Sequence, residues 1–173
     1  IISAKESGFM KGISETLFAP DNQLTRAEAA AVLVRALSLE GAYAGGRSFT
    51  DTVRHWAEKE IEIARQNNLV LGTGNGKFEP DRPVTREEMA VMLDRLIKNG
   101  VWQNEGISYE DVDPGRNSWS YDSIIRLSGY GIFKGSPDGL FRPGDKTTRA
   151  QMAVLITRIQ GAVENGNMDF IPG

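Results

Sequence analysis

The chain has no cysteine and a single histidine in 173 residues. The first absence excludes disulfides, thiolate metal sites and cysteine nucleophiles together. The second leaves His55 as the only imidazole, too few for a multi-histidine metal site and a poor start for a His-based catalytic triad. No apolar run approaches the roughly 18 residues that would span a bilayer, and no signal peptide is visible at Ile1. Charge of one sign is also scarce: 20 basic against 23 acidic side chains give a net charge of −3 with no like-charge run, which argues against a general nucleic-acid binder. What is present, 40% hydrophobic and 25% charged residues, is enough for one modest core.

The chain is repetitive. GISETLFAPDNQLTRAEAAAVLVRAL (12–37) aligns with GTGNGKFEPDRPVTREEMAVMLDRLI (72–97) and GSPDGLFRPGDKTTRAQMAVLITRI (135–159). Gly12, Gly72 and Gly135 lie 60 and 63 residues apart, and so do Phe18, Phe78 and Phe141, and Thr25, Thr85 and Thr148. Upstream, residues 48–64 match 108–127 with three residues inserted before Trp119. Ile1 falls in phase with Ile61 and Ile124, so the first copy lacks its opening segment here and the chain reads as a fragment. The expected boundaries are repeat one 1–47, repeat two 48–107, repeat three 108–161 and a tail 162–173, all within one domain.

Each unit reads as two helices. Trp56, Ala57, Ile61 and Ala64 form one apolar stripe, matched by Tyr121, Ile124, Ile125 and Leu127. The second helix carries Ala29, Leu33, Ala36 and Leu37, then Met89, Leu93, Leu96 and Ile97, then Met152, Ile156 and Ile159. The Gly-rich, Pro-closed segments between them predict tight loops or small hairpins. Asn75-Gly76 and Asp138-Gly139 are turn chemistry without the alternating oxygens of a calcium loop, and no metal or other cofactor is assigned. Units of about 60 residues are marginal alone. The three are expected to pack into one body, either around a pseudo-threefold axis with grooves between neighbours or as an open superhelical stack.

LTRAE, VTREE and TTRAQ place Thr25, Thr85 and Thr148 at helix N-caps, with Glu28, Glu88 and Gln151 completing capping boxes. Arg26, Arg86 and Arg149 then occupy the first helical position, where the helix dipole disfavours a cation. Two readings stay open: an exposed arginine with its stem over the loop or in a salt bridge to a neighbouring unit, or an anion site in which free helix N–H groups and a guanidinium face one ligand. Asp51 and Asp111 are either turn residues or ligand contacts. Trp56 and Trp119 are expected to bury against the core, with an edge available for stacking. Thr73 and Ser136 follow Gly72 and Gly135, where a ligand could approach the backbone closely or the turn alone could need them. Glu87-Glu88 points two ways around a helix and makes a poor glycosidase dyad.

The ordered pattern Phe-x-Asp, Trp-Ala, helix, Gly-rich loop, Phe-x-Pro-x-x-x-x-Thr-Arg-x-Glu, helix resembles the S-layer homology family over nearly the whole chain. The resemblance implies a mainly α fold of three helix-loop-helix repeats forming a pseudo-threefold trimer in one chain. It further implies a secreted, wall-associated, non-enzymatic anchor that binds a secondary cell wall polymer bearing pyruvylated N-acetylmannosamine. On this resemblance Arg26, Arg86 and Arg149 correspond to the family's Thr-Arg arginine, Asp51 and Asp111 to its Phe-x-Asp acid, and Trp56 and Trp119 to its tryptophan. Copy one has Ile13 in place of Thr73 and Ser136, and copy three has Tyr109 for Phe and Gln151 for Glu, so one or two working grooves are expected. The alternative is a helical repeat scaffold that binds another protein.

Overall fold

The computed structural model describes Met10 and residues 18–100, 106–166 and 168–170. In chain order these form α1 (Arg26–Ala36), α2 (Glu58–Gln66), α3 (Arg86–Asp94), β1 (Ile97–Gly100), α4 (Tyr121–Gly129), α5 (Arg149–Glu164) and β2 (Met168–Phe170). The opening of the first repeat, including Ile1, Gly12 and Ile13, lies outside the described residues.

The three long-recognisable helices α1, α3 and α5 start where the capping boxes predict. The hydroxyls of Thr25, Thr85 and Thr148 accept the N–H groups of Glu28, Glu88 and Gln151, whose side chains accept the threonine N–H groups in return. Each cap stabilises its helix by about 1 kcal/mol. Most of the apolar stripes then bury: Ala29, Ala30, Leu33, Met89, Leu93, Met152, Ile156 and Ile159 belong to one core with Ile61, Ala64, Ile124 and Leu127, while Ala36, Leu37, Ile97 and Tyr121 pack against it partly buried.

The helices pack between repeats. The main helix–helix contacts among the described elements are α1 with α2 and α3 with α4, so the second helices of repeats one and two each cover the first helix of the following repeat. The units therefore complete one another's cores.

Closure is shown by a ring of backbone hydrogen bonds just upstream of the three N-caps. Leu24 N–H donates to the Thr147 carbonyl (2.8 Å), Thr147 N–H to Val84 (3.0 Å) and Val84 N–H to Leu24 (2.9 Å). The ring decides for pseudo-threefold packing over an open stack, because a stack would leave its end members unpaired. All three residues are buried, and the Thr147 hydroxyl finds no partner among the described residues.

Three details differ from the sequence reading. Ile97 is not the last turn of a helix: α3 ends at Asp94, and Ile97–Gly100 forms β1, since Asn99 and Gly100 are poor helix residues. Helix α5 continues past Gly161 to Glu164, and β2 in the expected tail pairs antiparallel with β1, Ile97 opposite Phe170 and Gly100 opposite Met168. Trp56 precedes α2 and is 60% exposed, and Trp119 is 56% exposed, so neither buries against the core.

Candidate functional site

The recurring arginines are first of all clasps between repeats. Arg26 donates from Nε to the Phe78 carbonyl (2.8 Å) and from Nη2 to the Leu71 carbonyl (2.9 Å). Arg86 repeats this toward repeat three, from Nε to Phe141 (2.9 Å) and from Nη2 to Lys134 (3.4 Å), and Arg149 returns to repeat one through Nε to Phe18 (2.9 Å). Each guanidinium also lies over the neighbour's phenylalanine ring, at 4.6 Å for Arg26 on Phe78, 4.7 Å for Arg86 on Phe141 and 5.0 Å for Arg149 on Phe18. The first helical position is thus cationic because the side chain reaches away from its own helix.

The helix N–H groups are not free. Those of Arg26, Arg86 and Arg149 donate to Arg82, Asp145 and Asn22, and those of Ala27, Glu87 and Ala150 to Pro80, Pro143 and Pro20. With the third N–H taken by the capping threonine, the expected convergence of helix N–H groups and guanidinium on one ligand does not occur.

The three arginines differ at their outer edge. Glu88 Oε1 accepts from Arg26 Nη1 (2.9 Å) and from Arg82 Nη2 (2.6 Å). Glu28 Oε1 accepts from Arg149 Nη1 (2.8 Å). The same position facing Arg86 is Gln151, whose Oε1 is engaged by the Thr148 N–H (3.0 Å). Among the described residues Arg86 has no carboxylate within ion-pair distance, and its Nη1 has no hydrogen-bond partner. Burial lowers the pKa of Arg26, partly offset by Glu88, and burial lowers that of Arg86 against the weaker pull of Asp145, Tyr109 and Asp111. Both guanidinium groups stay charged at neutral pH. Burial pushes Glu88 up, but hydrogen bonds from Arg82 and Thr85 and the charge of Arg26 hold it below the usual carboxylate range.

Two grooves flank these clasps. The first, about 440 Å³, is built by all three repeats: Arg26, the loop Leu71-Gly72-Thr73, the α3 face with Glu88 and Arg95, and Trp119. The second, about 270 Å³, is its counterpart one repeat on, lined by Arg86, Phe133, Lys134, Gln151, Val154 and Arg158 among others. Among the described residues three cations line it and no carboxylate does.

Of the remaining expected site residues, the two aspartates and the two glycines have roles in the scaffold. Asp51 accepts the N–H groups of Phe78 (2.9 Å) and Glu79 (2.8 Å), and Asp111 those of Phe141 (2.8 Å) and Arg142 (2.6 Å). Glu79 and Arg142 have positive φ of 58° and 62°, so successive N–H groups form a small anion nest that the carboxylate fills from within. Gly72 and Gly135 are needed because a Cβ would strike the rings of Phe49 and Tyr109. Thr73 lines the first groove while its N–H donates to Lys77, and the Ser136 N–H donates to Leu140, outside the lining of the second groove. Trp56 lines neither groove; the neighbouring His55 ring accepts from Ala57 N–H and meets Asp81 at 3.1 Å. Glu87 accepts from Ser120 Oγ (3.0 Å) at the interface with repeat three. Sequence reading missed Arg82, Lys134, Arg95 and Arg158. The last two recur 63 residues apart, a signal present in the same alignment.

Comparison with known proteins agrees with the architecture. The S-layer homology domain model matches residues 1–30, 48–90 and 108–153. The chain is 33% identical over 164 residues to a cellulosome-anchoring protein of Acetivibrio thermocellus, covering 90% of this chain and 36% of that protein. It is 45% identical over 105 residues to a surface-layer 125 kDa protein of Lysinibacillus sphaericus, covering 57% of this chain and 9% of that protein. It is 32% identical over 157 residues to an endoglucanase of a Bacillus species, covering 89% of this chain and 16% of that protein. The chain thus spans about a third or less of each of these relatives. Three matched segments, a closed ring of three repeats and a cross-repeat arginine clasp make the chain a member of the S-layer homology domain family.

Proposed function

We propose that the chain is a non-covalent anchor that holds a larger surface protein to the cell wall by binding an acidic wall polysaccharide, a secondary cell wall polymer carrying pyruvylated N-acetylmannosamine. The observation that carries this reading is the second groove, where Arg86, Lys134 and Arg158 stand together with no carboxylate among the described lining residues. A pyruvyl ketal offers a carboxylate on a rigid sugar, and a charge-assisted contact to guanidinium is worth about 1.5–3 kcal/mol, more than a neutral hydroxyl contact. The exposed face of Trp119 in the first groove suits the apolar face of a pyranose along the same polymer. Relatives named for anchoring, for surface layers and for an endoglucanase share this segment as a fraction of their length, which fits a module that fixes different cargoes at the cell surface. The reading assigns no catalytic step, since Glu87 and Glu88 are engaged by Ser120 and by Arg26 and Arg82.

Co-sedimentation with isolated walls tests the proposal. The chain should pellet with native walls and lose about ten-fold or more in affinity when the pyruvyl groups are removed, as 1.5 kcal/mol implies. Equal retention by both preparations would overturn it.

A further inference from the structure

We infer that Gln151 selects the groove between the second and third repeats as the one that takes a carboxylate, and that Glu28 and Glu88 close the other two interfaces to it. The inference deepens the proposed function and rests on that reading for the identity of the natural ligand. Its physical basis is independent of the polymer. A residue three positions after the N-cap has two jobs here: one side-chain atom accepts the N-cap N–H, and the other faces the arginine arriving from the previous repeat. Glu88 does both as an acceptor, through Oε2 to Thr85 (3.0 Å) and Oε1 to Arg26 (2.9 Å). Glu28 does the same, through Oε2 to Thr25 (2.9 Å) and Oε1 to Arg149 (2.8 Å).

Glutamine preserves the first job and inverts the second. With Oε1 of Gln151 accepting from Thr148, the remaining atom is an amide nitrogen, a donor that cannot accept from a guanidinium. Among the described residues the Arg86 Nη1 is left without a partner, while its Nε and Nη2 donate to the Phe141 and Lys134 carbonyls. The result is a half-buried, orientationally locked cation with one open edge, in a groove with Lys134 and Arg158. The acids whose fields reach Arg86 do not fill that edge: Asp111 is held by two backbone N–H groups, and neither Asp111 nor Asp145 is within ion-pair distance. In the first groove an incoming carboxylate would instead have to displace Glu88 from both Arg26 and Arg82. One amide-for-carboxylate change therefore separates an internally neutralised interface from a receptive one.

The test uses the full chain and its Gln151→Glu variant, which retains the capping acceptor and should fold as the parent does, as circular dichroism will verify. Arginine Nε–Hε signals are followed by NMR during titration with inorganic phosphate, pyruvylated N-acetylmannosamine and unmodified N-acetylmannosamine. Phosphate and the pyruvylated sugar should both shift the Arg86 signal before that of Arg26, and Q151E should weaken both by ten-fold or more. Undiminished binding by Q151E, a response at Arg26 first, or no response at Arg86 to either anion would overturn the inference. Phosphate binding at Arg86 with no response to the pyruvylated sugar would uphold the role of Gln151 and sink the polymer reading. Pyruvylated sugar bound at Arg26 would do the reverse.

Discussion

A carboxylate that fills an anion nest within its own repeat behaves differently from one that waits for a ligand. Asp51 holds the N–H groups of Phe78 and Glu79; burial pushes its pKa up, but those two hydrogen bonds outweigh it and the net shift is downward. The stability it contributes is complete above the unfolded-state value near 4 and is lost as pH falls through the lower folded value. Asp51→Asn should cost about 1–2 kcal/mol at pH 7. The gap between the urea midpoints of parent and variant should stay constant down to about pH 5 and narrow below pH 4. A gap that widens in acid would contradict the assignment. At this scale the sequence was partly legible. Arg26, Arg86 and Arg149 were singled out from their misfit with the helix dipole, yet their partners are carbonyls and rings some 50 residues away or more, which no local pattern encodes. The tryptophans were expected inside because aromatic rings usually bury, and their exposure followed only from the start of α2 at Glu58 and of α4 at Tyr121.

Helices α1, α3 and α5 were readable because capping chemistry and a 3.6-residue stripe agree on where each begins. Replacing Thr85 by alanine removes the acceptor for the Glu88 N–H and should lower stability by about 1 kcal/mol, measured by thermal or urea unfolding. An effect well below half that value would mean that the neighbouring repeat's carbonyls, which already accept from Arg86 and Glu87, set this helix start without the cap. Strands β1 and β2 escaped prediction for a different reason. Ile97 and Phe170 meet across more than a full repeat of sequence, and three or four residues leave too little alternation to register as a pattern.

Helix faces are completed by the following repeat, so the repeats are expected to unfold as one cooperative unit. A chain ending at residue 107 would lose α4, the partner of α3, and also Thr147, one member of the axial ring. It should therefore fail to give a sigmoidal unfolding transition by circular dichroism, whereas independently folded repeats would show an unaltered, smaller transition. The threefold arrangement was only one of two options before the structure, since helical periodicity fixes faces and not the sense in which modules join.

The bonds among Leu24, Val84 and Thr147 use every backbone donor and acceptor of these three residues, which makes three a closed number. A fourth unit inserted by duplication could not lengthen this body, as it could a solenoid; it would have to stand outside as a pendant or begin another triad. Expansion of such an anchor should accordingly proceed in whole triplets, and any stronger hold on a surface would come from linking complete bodies in series.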